Sequence, residues 1–116
     1  MQRLLVTGGC GYLGRELVRR APAAGWSVRA TWWQHEPEGE AEWVRADVRD
    51  PAQVARAVDG VDAVIHTAYV LGAGEWDANA EGSANLAGAA RGLRLIHLSS
   101  DVVFDGTRGR YREEDE

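Results

Sequence analysis

The stretch RLLVTGGCGYLG, residues 3–14, decides the fold. Leu4, Leu5 and Val6 run into Thr7, and glycines follow at positions 8, 9, 11 and 14. A short apolar run bounded by glycine reads as a buried strand. Gly8 suits a tight turn, Gly11 removes a side chain where backbone must approach another group, and Gly14 lets the helix that starts near Tyr12 press against the sheet. The N-terminus of that helix presents unpaired N–H groups and the positive end of its dipole. Together these are the parts of a cradle for the pyrophosphate of a dinucleotide. A glycine pattern alone also fits a plain strand-to-helix turn, and its setting between a strand and a helix is what selects the cradle.

Outward from this stretch, apolar runs recur at 28–31 (VRAT), 63–68 (AVIHTA) and 93–100 (LRLIHLSS), with a weaker one at 42–47 (EWVRAD). They are too short for helices and read as strands. Helical patterns lie between them: Leu13, Leu17, Val18 and Ala21 on one face, then Val54, Ala57 and Val58, then an alanine-rich segment from about 76 to 91. In DPAQV, Asp50 reads as a helix N-cap and Pro51 as the first helical residue. The segment QHEPEGEAE, 34–42, has no apolar period and reads as a surface connection. Alternating strands and helices imply parallel strands joined by right-handed crossovers. The expected fold is α/β, a Rossmann-like doubly wound sheet of five parallel strands in the order 3-2-1-4-5, with a ligand crevice at the carboxyl ends of strands 1 and 4.

The 116 residues suffice for one domain and not for two, so residues 1–116 form one dinucleotide-binding unit, with a charged tail at about 106–116 expected to be poorly ordered. A net charge of −5 argues against a nucleic-acid surface. One cysteine, Cys10, excludes an internal disulfide and a thiolate-rich metal site. No apolar run approaches the roughly 20 residues that span a bilayer, and residues 1–20 carry arginines where a signal peptide is apolar, so a cytoplasmic location without membrane contact is expected.

TGGCGYLG resembles the glycine motif of the extended short-chain dehydrogenase/reductase superfamily, also known as the NAD-dependent epimerase/dehydratase superfamily. Four further stretches resemble it in order. ADVRDP resembles the acidic turn after the third strand, which implies that Asp47 bonds the adenine amino group and Val48 packs beside the ring. VIHTAY resembles the end of the fourth strand, which implies Ala68 and Tyr69 near ribose and phosphates. NAEGSANLAGAA resembles the family's N-x-x-G-T-x-N-L helix and puts Asn79 at its asparagine. LSSDVVFDG followed by YREEDE resembles the dTDP-4-dehydrorhamnose reductase subgroup and puts Ser100 at the catalytic serine/threonine. The resemblance covers the whole chain and implies cofactor contacts at Thr7, Gly8, Gly11, Tyr12, Leu13 and Gly14 as well. It implies an NAD(P)-dependent oxidoreductase acting on a nucleotide-sugar ketone, or a related epimerase or dehydratase.

The choice between NAD and NADP turns on the residue about 20 positions past the glycines, where a carboxylate favours NAD. That position falls on Thr31 or Trp32, and neither is acidic. Arg29 and His35 are near in sequence, although alternation along a strand could turn Arg29 away. NADP is therefore preferred to NAD. Trp32 is assigned to the site, either stacking on adenine or serving as hydrophobic cover.

One part of the family chemistry is missing. A tyrosine proton donor, with a lysine four residues later, typically contributes about 10² to 10⁴ in rate. All thirteen basic residues are arginine, and the positions four after Tyr12, Tyr69 and Tyr111 are Glu16, Ala73 and Asp115. The chain is therefore expected to be the N-terminal part of a longer enzyme, truncated before its substrate lobe, and unlikely to turn over alone. The alternative is a noncatalytic NAD(P)-binding regulatory or scaffolding module. An uncovered fifth strand would favour a homodimer.

His66 and His97 read as strand residues, since no acidic or cysteine companion stands at ligand spacing, and no metal site is expected. Cys10 sits by a helix N-terminus, a setting that can depress a thiol pKa, but a tolerated small residue is the simpler reading. Asp101 and Asp105 read as turn formers, and Glu113 to Glu116 as solvated charge.

Overall fold

The structure, a computed structural model, describes residues 1–70, 76–99 and 106–115. Strands β1 (Arg3–Thr7), β2 (Ser27–Trp32), β3 (Glu42–Arg45), β4 (Ala63–His66) and β5 (Arg94–His97) form one parallel sheet in the order β3-β2-β1-β4-β5. The expected order is thus borne out. The strands end earlier than expected: β3 stops at Arg45, β4 at His66 and β5 at His97. Residues 67 and 68 already belong to the loop that shapes the crevice, and residues 98 and 99 lie past the end of β5.

Helix α1 (Tyr12–Arg20) packs on one face of the sheet, and α2 (Pro51–Val58) and α3 (Gly82–Ala89) on the other. The alternation of each central strand feeds both faces. Leu4 and Val6 meet Val18 and Ala21, whereas Leu5 meets Val54, Val58 and Leu86. Helix α1 buries Gly14 and Val18, while Leu13, expected on the packed face, is 43% exposed. Ala21 does close that core, but from a 3₁₀ turn over Ala21–Ala24. Asp50 caps α2 as expected, accepting from the Ala52 amide at 2.9 Å. The segment expected as one helix from 76 to 91 divides instead into a π-helical turn, Asp77–Glu81, and α3.

Arg29 resolves one open point. It is buried on the α2 face, where Nη1 donates to the carbonyls of Ala57 at 2.8 Å and Asp59 at 2.6 Å and Nε donates to Glu42 at 3.0 Å. A cation on the last carbonyls of α2 complements the helix dipole. Arg29 therefore braces the fold and lies away from the crevice. Among the described residues, no helix is long and apolar enough to cross a membrane.

Candidate functional site

At the carboxyl ends of β1, β2 and β4 lies an open cleft of about 460 Å³. Of the residues singled out in the sequence, Gly8, Gly11, Trp32, Asp47, Val48, Ala68 and Tyr69 line it. Cys10, Thr31, Trp33, Gln34, His35 and Arg49 complete much of the wall.

The four glycines of the turn have different reasons to be glycine. Gly8 has φ +65°, and a Cβ there would come 2.8 Å from Ala68 Cα. Gly9 passes over β2 and β3, where a Cβ would lie 2.7 Å from the Trp43 ring and 2.9 Å from the Ala30 Cβ. At Gly14 a Cβ would sit 2.0 Å from the Gly8 carbonyl oxygen, so this glycine lets the helix close on the turn itself rather than on the sheet. Gly11 differs from all three. Its backbone is extended, at φ −74°, and a Cβ would make one tight contact, 3.3 Å to the Gly8 carbonyl oxygen. Packing gives only a mild reason for glycine at position 11, and the space its missing side chain leaves belongs to the cleft wall.

Gly11 is also the N-cap of α1 and offers no side-chain acceptor, and the first turn of the helix carries no acidic residue. The N–H groups of Tyr12, Leu13 and Gly14 thus precede the first i to i−4 bond, which runs from the Arg15 amide to the Gly11 carbonyl at 3.0 Å. Tyr12 is 90% exposed at this helix start. These donors, the dipole and the bare Gly11 suit a diphosphate, so the residues present fit a dinucleotide.

The turn is held from below by Thr7 and from the side by Thr31. Thr7 is buried, and its Oγ1 accepts from the Thr67 amide at 3.0 Å and the Ala68 amide at 3.3 Å. The Thr7 hydroxyl proton is then left for His66 Nδ1, 2.6 Å away. Nδ1 is therefore an acceptor, and His66 carries its proton on Nε2, which donates to Ser83 Oγ at 3.2 Å. Burial, with a smaller effect of His97, pushes the His66 pKa down to about 4, so the ring is neutral at physiological pH. Thr7 thus shapes the cleft from beneath. Thr31 receives the Gly8 amide on Oγ1 at 3.1 Å and the Gly9 amide on its carbonyl at 2.8 Å.

Asp47 does line the cleft, but its carboxylate is already engaged. The Arg49 guanidinium binds both of its oxygens, at 2.8–3.1 Å, and holds its carboxyl below the usual range. Asn79 pins the loop after β4: its amide group donates to the Val70 carbonyl and accepts from the Val70 amide, both at 2.8 Å. The Tyr69 hydroxyl donates to the Leu98 carbonyl and contacts His97, joining the ends of β4 and β5. Burial pushes the Tyr69 phenol up. Ser100 lies outside the described residues, as do Asp101 and Asp105.

Contacts decide two points that the sequence left open. The Cys10 thiol is pushed up, by burial and then by Glu38, and donates to the His35 carbonyl at 3.4 Å, so the helix start does not make it a thiolate. The basic side chain beside the end of β2 is Arg45, not Arg29. It lies over the rings of Trp32 and Trp33, at 5.3 and 4.6 Å from their centroids. Residues of α3 were missed as well. A Cβ at Gly82 would meet Val48 Cγ2 at 2.7 Å, and Asn85 Nδ2 donates to the Val48 carbonyl at 2.9 Å. With Ser83 on His66, this one helical turn sets the height of Val48 in the cleft. The recurring small residues of GSANLAG were the available signal.

Known proteins resemble this chain in sequence and fold. The chain is 40% identical over 112 residues to a 2-alkyl-3-oxoalkanoate reductase of Stenotrophomonas maltophilia, covering 87% of this chain and 34% of that protein. It is 36% identical over 118 residues to a dTDP-4-dehydrorhamnose reductase of Mycobacterium tuberculosis, covering 93% and 36%. A short-chain dehydrogenase/reductase superfamily protein of Agrobacterium tumefaciens, solved with bound NAD, superposes with a TM-score of 0.79 at 28% identity over 95% of this chain and 36% of that one. The chain therefore spans little more than a third of the length of these proteins. A family model described as the RmlD substrate binding domain matches residues 1–116. With its glycine turn, its 3-2-1-4-5 sheet and this match over its whole length, the chain belongs to the RmlD substrate binding domain family, among the short-chain dehydrogenase/reductase and epimerase proteins.

Proposed function

We propose that residues 1–116 form the cofactor-binding part of an NAD(P)-dependent reductase of a nucleotide-sugar ketone, with NADP preferred. The observation that carries the cofactor reading is Gly11, bare at the cleft wall with little packing reason to be so. The diphosphate would lie on the amides of Tyr12, Leu13 and Gly14. The adenosine would run toward Trp32, Asp47 and Val48, and the nicotinamide ribose toward Ala68 and Tyr69. The Asp47 carboxylate keeps acceptor capacity for an adenine amino group even while Arg49 holds it. The bound nicotinamide would supply the hydride. This chain binds and orients, and Ser100 is the residue assigned to hold the substrate carbonyl by a hydrogen bond. The dTDP-4-dehydrorhamnose reductase relative and the family match support the sugar-nucleotide substrate, while the 2-alkyl-3-oxoalkanoate reductase relative makes a plain 3-oxo acid the competing class.

Five tryptophans, two of them on the cleft, make fluorescence titration the direct test. NADP and NAD should each change the emission, and Gly11→Leu should remove the response while circular dichroism and the unfolding midpoint stay near those of the parent. No response of the parent to either nucleotide overturns the reading. Turnover belongs to a protein that also carries a Tyr-x-x-x-Lys pair. A complete protein that binds cofactor and reduces neither ketone class would instead support the noncatalytic module.

A further inference from the structure

Three arginines are carried by β2, β3 and the loop after β3, and their hydrogen bonds separate them. Arg29 is held on the α2 face by two carbonyls and Glu42. Arg49 uses Nε and Nη2 on Asp47. Arg45 donates only through Nε, to the Trp33 carbonyl at 3.2 Å. Among the described residues, its four Nη–H donors have no hydrogen-bond acceptor in the protein.

The position of Arg45 follows from the sheet register. Trp32 pairs with Arg45, so the two side chains leave the same face of the sheet. Two residues earlier on that face, Ala30 and Trp43 lie under Gly9 of the glycine turn. The guanidinium packs over Trp32 and Trp33, both of which line the cleft. The aromatic faces and the single Nε bond orient the fork without neutralising it. No carboxylate occupies the end of β2, where one would repel a ribose phosphate.

Resting on the reading of the cleft as a dinucleotide site, we propose that Arg45, braced by Trp32 and Trp33, is the subsite for the 2′-phosphate of NADP. A phosphate monoester carries about −1.5 to −2 charge at pH 7 and presents oxygens that match the paired Nη donors of a guanidinium. Besides Asp47, Glu38 lies close enough to Cys10 of the cleft wall for its charge to raise the thiol. Its carboxylate is the competitor, since turned onto the ribose hydroxyls it would favour NAD.

The test is binding, read by tryptophan fluorescence and by calorimetry on the 116-residue chain. The probes are NADP, NAD, 2′,5′-ADP and 5′-AMP. The parent should bind 2′,5′-ADP at least about tenfold more tightly than 5′-AMP, with an advantage that shrinks as salt rises. Arg45→Gln should weaken NADP and 2′,5′-ADP on the order of 10- to 100-fold and leave NAD and 5′-AMP within about twofold. Arg45→Lys should recover part of the loss, because charge remains without the fork. Equal loss for phosphorylated and unphosphorylated probes would show that Arg45 only props the tryptophans, and would overturn the proposal. So would tighter binding of NAD than NADP by the parent, an outcome that leaves the cleft reading intact. Failure of the parent to bind any of the four probes overturns both.

Discussion

Gly14 faces the carbonyl of Gly8 so closely that a methyl group at position 14 would lie 2.0 Å from that oxygen. The obstacle is backbone, which cannot swing aside as a flexible side chain can. Gly14→Ala should therefore force the first turn of α1 away from the glycine turn, destabilising the chain by about 3 kcal/mol and weakening dinucleotide binding with it. Urea unfolding and nucleotide titration of the same preparation check this. The contrast with Gly11→Leu, which should lose binding and keep stability, separates a glycine required by packing from one required by a ligand.

Thr7 offers a second test, because one hydroxyl serves the amides of Thr67 and Ala68 and the ring of His66. Thr7→Val keeps the shape and removes all three hydrogen bonds. With a buried unsatisfied group costing about 1–3 kcal/mol, the variant should lose about 3 kcal/mol, measured by chemical denaturation. Thr7→Ser should retain most of the stability.

The depressed pKa of His66 makes stability depend on pH. Its folded value of about 4 lies below the unfolded value near 6.5. Between these values the unfolded chain takes up a proton that the folded chain refuses, so stability is complete above about pH 6.5 and falls as pH drops toward 4. Below that, the carboxyl groups of Glu42, Asp47 and Asp50, all held low by hydrogen bonds, add a further loss in the same direction. The midpoint of urea unfolding should fall from pH 7 to pH 5. In His66→Gln the fall should be shallower, even though that variant starts from a lower midpoint.

Among the described residues strand β5 pairs with β4 alone, and Ile96, beside Ile65 in the register, is 46% exposed. An unpaired edge with an exposed apolar residue favours pairing with a second copy. The 116-residue chain should show concentration-dependent association in sedimentation velocity, and Ile96→Lys should shift it toward monomer. A wild-type chain that sediments as a monomer at all concentrations would exclude edge pairing.

Much of the sheet is legible in the residues because its signals are local. Each strand is a short apolar run, the glycine turn announces α1, and Asp50 with Pro51 marks α2 as clearly in the sequence as in the structure. Side-chain alternation warned that Arg29 could point away, and it does. The π-helical turn at Asp77–Glu81 was not legible, since the composition of 76–91 suits a plain helix. The interruption coincides with Asn79 reaching back to Val70 across the chain.

The sequence by itself determined that a strand runs into a glycine turn and a helix, that five such strands would lie parallel, and that no lysine is present for proton relay. These follow from periodicity, turn chemistry and composition, which neighbouring residues carry among themselves. Only the tertiary structure decided which glycine answers to packing and which to the cleft. It also decided that Thr7 supports the turn rather than lining the cleft, and that Arg45 rather than Arg29 stands beside Trp32. Those outcomes depend on contacts such as Gly9 on Trp43, Gly82 on Val48 and Trp32 beside Arg45. The partners there lie 13 to 34 positions apart, and only the folded sheet brings them within a few ångströms.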